Sequence, residues 1–434
     1  MVQTSREIVE DRSTVEARSG RLLSLDAFRG LTILAMVMVN NPGSWGAMYW
    51  PLMHADWHGW TPTDFIFPFF LFIVGTSLAY SLRKYVGDAA PTGIERVARS
   101  ATPKQNPPLA PPYKGGEVRI DRSVYTRIVR RTALLIFLGW LPSLLFRTID
   151  YFNGTADSFD LAHLRLPGVL VRIGIVYFCA SMIVLHTRVR GQVVLGVVLL
   201  LGYWGLLAWL PNPHDYASNL SRDGNVVGLV DRTLMGLDHM YRAGGNTDPE
   251  GLLSTLPSIV TSLFGYWTGL FIQRRGVNYK LVAALLLAGI ALAAIGQGWH
   301  ELFPINKKLW TSSFVLLTAG FAMVVLAGCL LKFDLWGWRR LARPFEVVGV
   351  NAILVFVGSG MMSTVMSRLQ IGGTSAHDWL LDKIYHAATS CAASLGWEWM
   401  SDMKFTSLCY SLVIVAFWWL VCWIFARLGW QLRV

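Results

Sequence analysis

Ten stretches of this chain are apolar enough and long enough to cross a bilayer, and that repetition limits what it can fold into more than any other feature. A hydrocarbon core takes roughly 20 predominantly apolar residues per crossing helix. Segments that meet this lie at 24–41, 62–83, 132–149, 168–186, 192–210, 252–273, 280–298, 309–331, 345–366 and 404–426. Lipid offers no partner to a backbone N–H or C=O, so runs of this length must be helices. The expected fold class is all-α: a polytopic membrane helix bundle of about ten transmembrane helices. A weaker stretch, 378–397, carries Asp382, Lys383 and His386 and reads as a surface or re-entrant helix. Composition agrees, because 53% hydrophobic and 15% charged residues lie outside the range of soluble domains.

The loops alternate in basic content, and Lys and Arg are retained on the cytoplasmic side. Residues 83–131 hold 11 of them and residues 41–61 hold none. With the N-terminus inside, the cytoplasmic segments hold 26 and the opposite side 10, which predicts cytoplasmic termini and an extracytoplasmic loop at 41–61. The same bias accounts for the net charge of +11 without any nucleic-acid partner. Residues 1–22 read as a cytoplasmic arm with no signal-peptide cleavage site. Residues 87–122, centred on "TPKQNPPLAPPYKGGE", read as a disordered cytoplasmic insertion. The five cysteines have neither CxxC nor Cys/His spacing, so neither disulfides nor a metal site is expected.

Chemistry must then come from polar residues at span ends or inside the bundle, where they are costly and therefore candidates for function. The loop "HADWHGWTPTDFIFPFF" gathers His54, His58, Trp57, Trp60 and Asp64 in front of a span. Thr61-Pro62-Thr63-Asp64 has the form of a capping box, with Pro at the first helical position and an acid at the third. Asp64 is either that cap or a catalytic acid. The positive end of the helix favours neutral histidine nearby, the form that acts as base or nucleophile. Interfacial anchoring beside the tryptophans is the plain alternative for His54 and His58. Asn40 ends the first span, Asp248 and Glu250 precede the sixth, and Asn306, Lys307 and Lys308 precede the eighth. Two adjacent lysines on the side poorer in basic residues call for a local reason such as an anionic group. Arg172 and Asn351 lie inside apolar runs; Arg172 needs a ligand or an ion pair, with Asp150 or Asp160 in reach. Asp26 and Arg29, three residues apart on one helix face, are expected to pair.

The segments "RLLSLDAFRGLTILAMVMVN", "HADWHGWTPTDFIFPFFLFIVG", "LPGVLVRIGIVYF", "DRTLMGLDHMY", "DPEGLLSTLPSIV", "INKKLWTSSFVL" and "GVNAILVFVG" resemble, in order, the motifs of the heparan-alpha-glucosaminide N-acetyltransferase family. The resemblance covers about residues 21–360 and is weak beyond. It implies that 23–434 form one transmembrane acyltransferase domain in a bacterial inner membrane. That domain would move an acetyl group from cytosolic acetyl-CoA to the amine of a glucosamine-type sugar on the far side. It also implies His54 as the active histidine and Asn40 as its companion, with Asp64, Arg172, Asp248, Glu250, Asn306, Lys308 and Asn351 on motif positions. Asp64 would be catalytic, Asp248, Glu250, Asn306 and Lys308 would bind the acceptor, and Arg172 and Asn351 would face the donor. The loop from Asn40 to His54 is longer than the family pattern and the Pro-rich insertion is foreign to it. Expected partners are the amino sugar, the lipid bilayer and, as an option, a second copy in a homodimer. Two alternatives stand beside this: an envelope-glycan acyltransferase with another donor, and a polytopic transporter, for which no internal repeat is found.

Overall fold

The structure, a computed structural model, describes residues 22–86, 121–154, 159, 161–210, 219–241 and 246–431. The arm before residue 22 and the insertion from 87 to 120 lie outside the described residues, as does Asp160.

Helices follow the apolar runs closely: α1 Leu23–Asn40, α2 Ile66–Ser81, α3 Arg122–Phe152, α4 Val169–His186 and α5 Val189–Trp209. A short α6, Val226–Met235, precedes α7 Thr255–Arg275, α8 Tyr279–Trp299 and α9 Ser312–Cys329. Then come α10 Arg339–Val350, α11 Ala352–Arg368, α12 Ala376–Leu395 and α13 Met403–Arg427. Among the described residues nine helices are long and apolar enough to cross a membrane, and α10 with α11 can supply a tenth span. The protein is an all-α, multi-pass bundle.

The span expected at 345–366 is present as a bent pair: α10 and α11 meet at Asn351 at an angle of 67°. An apolar count registers length and hydropathy, and neither is sensitive to direction. The third helix starts at Arg122, the last residue of the expected insertion and ten residues ahead of its apolar stretch, on a basic helical extension with Arg127, Arg130 and Arg131. The segment at 378–397 forms α12, which is mostly exposed and is not among the spanning candidates. It follows a hairpin of Gln370–Ile371 and Thr374–Ser375, is capped by Ser375, and ends at Gly396 in the left-handed conformation.

Close helix contact positions the core. Lipid tails are as apolar as leucine, so helices in a membrane associate through tight packing at small residues. A Cβ on Gly75 of α2 would lie 1.7 Å from the Ser262 carbonyl oxygen, and one on Gly265 of α7 would lie 1.9 Å from that of Phe72. Gly30 of α1 and Gly349 of α10 make the same kind of approach. The helix α7 therefore runs through the centre, while α3 sits at the rim. Gly265→Val is expected to destabilise the protein by about 1–3 kcal/mol through overpacking, read as a lower unfolding temperature in detergent. Gly202→Ala in α5, where an added Cβ meets nothing within 4 Å, should leave that temperature unchanged.

Candidate functional site

The loop 41–61 joins the end of α1 to a single 3-10 turn, Pro62–Phe65, which leads into α2. Thr61 and Asp64 form the capping box that starts this turn. Asp64 is 1% exposed and its two oxygens divide their partners. Oδ2 accepts from the Thr61 N–H at 3.0 Å, the Thr61 hydroxyl at 3.1 Å and the Ala55 N–H at 3.1 Å. Oδ1 lies 2.8 Å from His54 Nδ1 and 3.4 Å from Lys307 Nζ. One carboxylate thus caps the helix and holds the histidine, so the two roles read for it in the sequence coexist.

His54 is 44% exposed at its side chain. With Nδ1–H donated to Asp64, Nε2 keeps its lone pair. Lys307 Nζ lies 3.0 Å from Nδ1 and 3.4 Å from Nε2, over the edge of the ring. Since Nδ1 is engaged, the ionic partner of the ammonium is Asp64. Burial pulls Lys307 below the usual lysine range, against the charges of Asp64 and Glu250.

A tight turn supplies that lysine. Asn306 is fully buried; its Oδ1 accepts from the Leu309 N–H at 2.9 Å, and its own N–H donates to the Thr311 hydroxyl at 3.0 Å. Trp310 completes the turn at φ 52°, a left-handed conformation that a large side chain adopts only when its surroundings hold it. The turn sends the adjacent lysines apart, with Lys308 donating to the Asp56 carbonyl at 2.8 Å and lying over Trp57. His58 stands 3.4 Å from Asn306 Nδ2. Burial, then the nearby His300, lowers its pKa; the direction is the one expected, from a different cause.

A second cluster flanks this one. Arg165 grips Asp248 through Nε at 3.0 Å and Nη2 at 2.7 Å, also pairs with Glu250, and stacks on Tyr241. Asp248 further accepts from the Tyr241 N–H at 2.8 Å and the Glu250 N–H at 2.9 Å. Arg172 is 1% exposed and donates to the Gly251 carbonyl at 2.9 Å and to the Ser254 hydroxyl. Its guanidinium lies between the rings of Trp310 and Phe67, 5.1 and 5.9 Å from their centroids. Of the two acids considered for it, Asp150 meets Arg368 instead, at 3.1 Å, and Asp160 lies outside the described residues. Asp231 of α6 accepts from the Leu252 and Leu253 N–H groups at 2.9 and 3.3 Å, and burial pushes its carboxyl up to about 6. A Cβ on Gly251 would fall 1.6 Å from Asp231 Oδ2, which explains the glycine in "DPEG".

Asn40 and Asn351 lie apart from these clusters. Asn40 is exposed, makes no hydrogen bond to His54 among the described residues, and lines a separate cavity. Asn351 occupies the break between α10 and α11, its N–H donating to the Val348 carbonyl at 3.0 Å. Beside the break is a cavity of about 510 Å³, lined mainly by apolar side chains such as Ile33, Phe70, Leu135, Ile173 and Phe356. Its polar side chains are Arg29 and Ser77; Arg29 pairs with Asp26 at 3.1 Å and donates to Ser77 at 2.9 Å. Arg29 and Ser77 sit at the end of the bundle opposite His54. No group of three potential metal ligands occurs among the described residues.

Arg165 and Asp231 were not singled out from the sequence, and Lys307 was noted only with Lys308, as a pair that calls for an anionic group. The signal available was the acid pair "DPE" without a visible cation, and a lysine pair of which only one could face the histidine.

No protein-family model matches the chain. It is similar to heparan-alpha-glucosaminide N-acetyltransferase of Homo sapiens, 27% identical over 389 residues, covering 78% of this chain and 52% of the relative. The relative of the same name from Mus musculus is 27% identical over 395 residues, covering 80% and 54%. The chain thus spans about half the length of the curated relatives it matches, and the likeness agrees with the resemblance carried by its motifs.

Proposed function

We propose that this chain is a membrane-embedded N-acetyltransferase that moves an acetyl group from acetyl-CoA to the amine of a glucosamine-type sugar. The observation that carries the reading is the trio of His54, Asp64 and Lys307 at a bundle end, supported by the names of the relatives. Transfer to an amine forms a C–N bond, breaks the thioester C–S bond and releases a proton and a thiolate. His54 takes the amine proton on Nε2 while Asp64 fixes the ring through Nδ1. Lys307 supplies positive charge for the oxyanion that develops on the carbonyl, and Asn40, which the resemblance makes the companion of His54 and whose amide is uncommitted, is the further donor we assign to it. The same Nε2 could carry the acetyl group transiently; a stoichiometric burst of coenzyme A without amine would assign that route.

Asp248 and Asn306 are saturated by protein partners, so they position the loops that carry Glu250 and Lys307. Glu250 has a second carboxylate oxygen beyond its pair with Arg165, and Lys308 has ammonium protons beyond its bond to the Asp56 carbonyl, so these two can also meet the acceptor, while Arg172 holds the Gly251 turn. The donor's pantetheine arm suits the cavity that starts at Arg29 and passes Asn351, with its nucleotide toward the basic end of the bundle. The loop charge bias supports a cytoplasmic position for that end and an extracytoplasmic one for the His54 end, and an inner membrane completes the proposed reading.

The test is release of free coenzyme A thiol from acetyl-CoA by purified protein in proteoliposomes. Release that depends on glucosamine is the expected result. No release over a panel of amino sugars would overturn the reading in favour of a transporter.

A further inference from the structure

Transfer to an amine requires a primary amine beside the base, and the protein already holds one there. Lys307 Nζ lies 3.0 Å from His54 Nδ1 and 3.4 Å from Nε2, on a side chain that is 17% exposed. A general base acts on a proton within about 2.6–3.2 Å, a contact that is commonly longer before substrate binds. Lys307 therefore stands where a sugar ammonium must come for His54 to deprotonate it.

The lysine is loosely held in its charged form. Its contact with Asp64 Oδ1, at 3.4 Å, is longer than the about 2.7–2.9 Å of a tight charge-assisted bond. Burial draws its pKa down, so the neutral amine that a nucleophile must be is less costly here than on an exposed lysine. Lys308 is the natural contrast. It has the same chemistry and is next in the chain, but its Nζ donates to the Asp56 carbonyl at 2.8 Å, lies 5.6 Å from the Trp57 ring centre, and makes no contact with His54 among the described residues.

We propose that Lys307 is an internal acceptor: when no amino sugar is present, the same centre acetylates Lys307 Nζ and so switches itself off. The inference rests on the acetyltransferase reading of His54. His54 Nε2 takes one proton from the ammonium, and the freed amine attacks the thioester carbonyl. A C–N bond forms at Nζ and the C–S bond breaks. Of the two protons that leave the nitrogen, one ends on the departing thiolate and the other in solvent. The resulting amide carries no charge, so Asp64 loses its counter-ion and the developing oxyanion its cation. A bound amino sugar prevents this by placing its own amine at Nε2 first.

The test incubates the detergent-purified full chain with acetyl-CoA, with and without saturating glucosamine, and follows the peptide carrying both lysines by mass spectrometry. Without glucosamine, Lys307 should be acetylated well ahead of Lys308, in step with a loss of subsequent glucosamine-dependent turnover; glucosamine should protect it. His54→Ala should slow labelling of Lys307 by about 10²-fold or more and leave that of Lys308 unchanged. Equal labelling of the two lysines, or labelling of Lys307 that His54→Ala does not slow, is ordinary chemical acetylation and overturns the inference. Glucosamine-dependent release of coenzyme A by a protein whose Lys307 stays unmodified overturns it as well and leaves the acetyltransferase reading standing. His54-dependent acetylation of Lys307 without turnover of any amino sugar keeps the internal acceptor and removes the sugar. Neither reaction removes both.

Discussion

Replacing His54 with alanine is expected to lower glucosamine-dependent release of coenzyme A by about 10²- to 10⁴-fold, the usual contribution of a positioned general base. The fall should appear in kcat, because the proton transfer belongs to the reaction step. Folding should be little affected: the side chain is 44% exposed and its hydrogen bond is to Asp64, which keeps Lys307 and its capping donors without it. His54→Gln should be as inactive, since an amide cannot take the proton. A variant that turns over at the wild-type rate with an unchanged unfolding temperature would remove His54 from the chemistry and return it to an interfacial anchor.

The second large effect is expected at Asp64. Asp64→Ala leaves the Lys307 ammonium, 17% exposed at its side chain, without its counter-charge. Breaking a buried pair from one side costs about 3–5 kcal/mol, and loss of the cap on the Thr61 N–H adds about 1 kcal/mol. Activity should fall as well, since His54 loses the group that fixes its tautomer. Adding Lys307→Met should restore part of the stability, by removing the orphaned charge, and none of the activity. A double-mutant cycle on unfolding temperature and rate reads this directly. Strict additivity in both would show that the two residues act independently.

The helices were legible because lipid leaves an apolar run no other structure, so the ends of α4, α8 and α13 fall within a few residues of expectation. The capping box at Thr61 was legible for a similar reason, being a local contract between residues three apart. The break at Asn351 was not, because "GVNAILVFVG" is apolar on both sides of one amide. Arg165 meets Asp248 across 83 residues, a pairing that only tertiary packing decides. Lys307 and Lys308 are neighbours in sequence, yet the turn at Trp310 aims one at His54 and the other at the Asp56 carbonyl. Charge type was readable there; direction depended on a backbone conformation that tryptophan seldom adopts.

The bend between α10 and α11 and the 510 Å³ cavity are a single feature, since Gly349, Val350, Ala352 and Ile353 border the joint and all line the space. The bend therefore carries internal void, and hydrostatic pressure, which favours whichever state eliminates internal void, would work against it. A slender chain lying in the cavity would fill the same space from within and act as the opposing force.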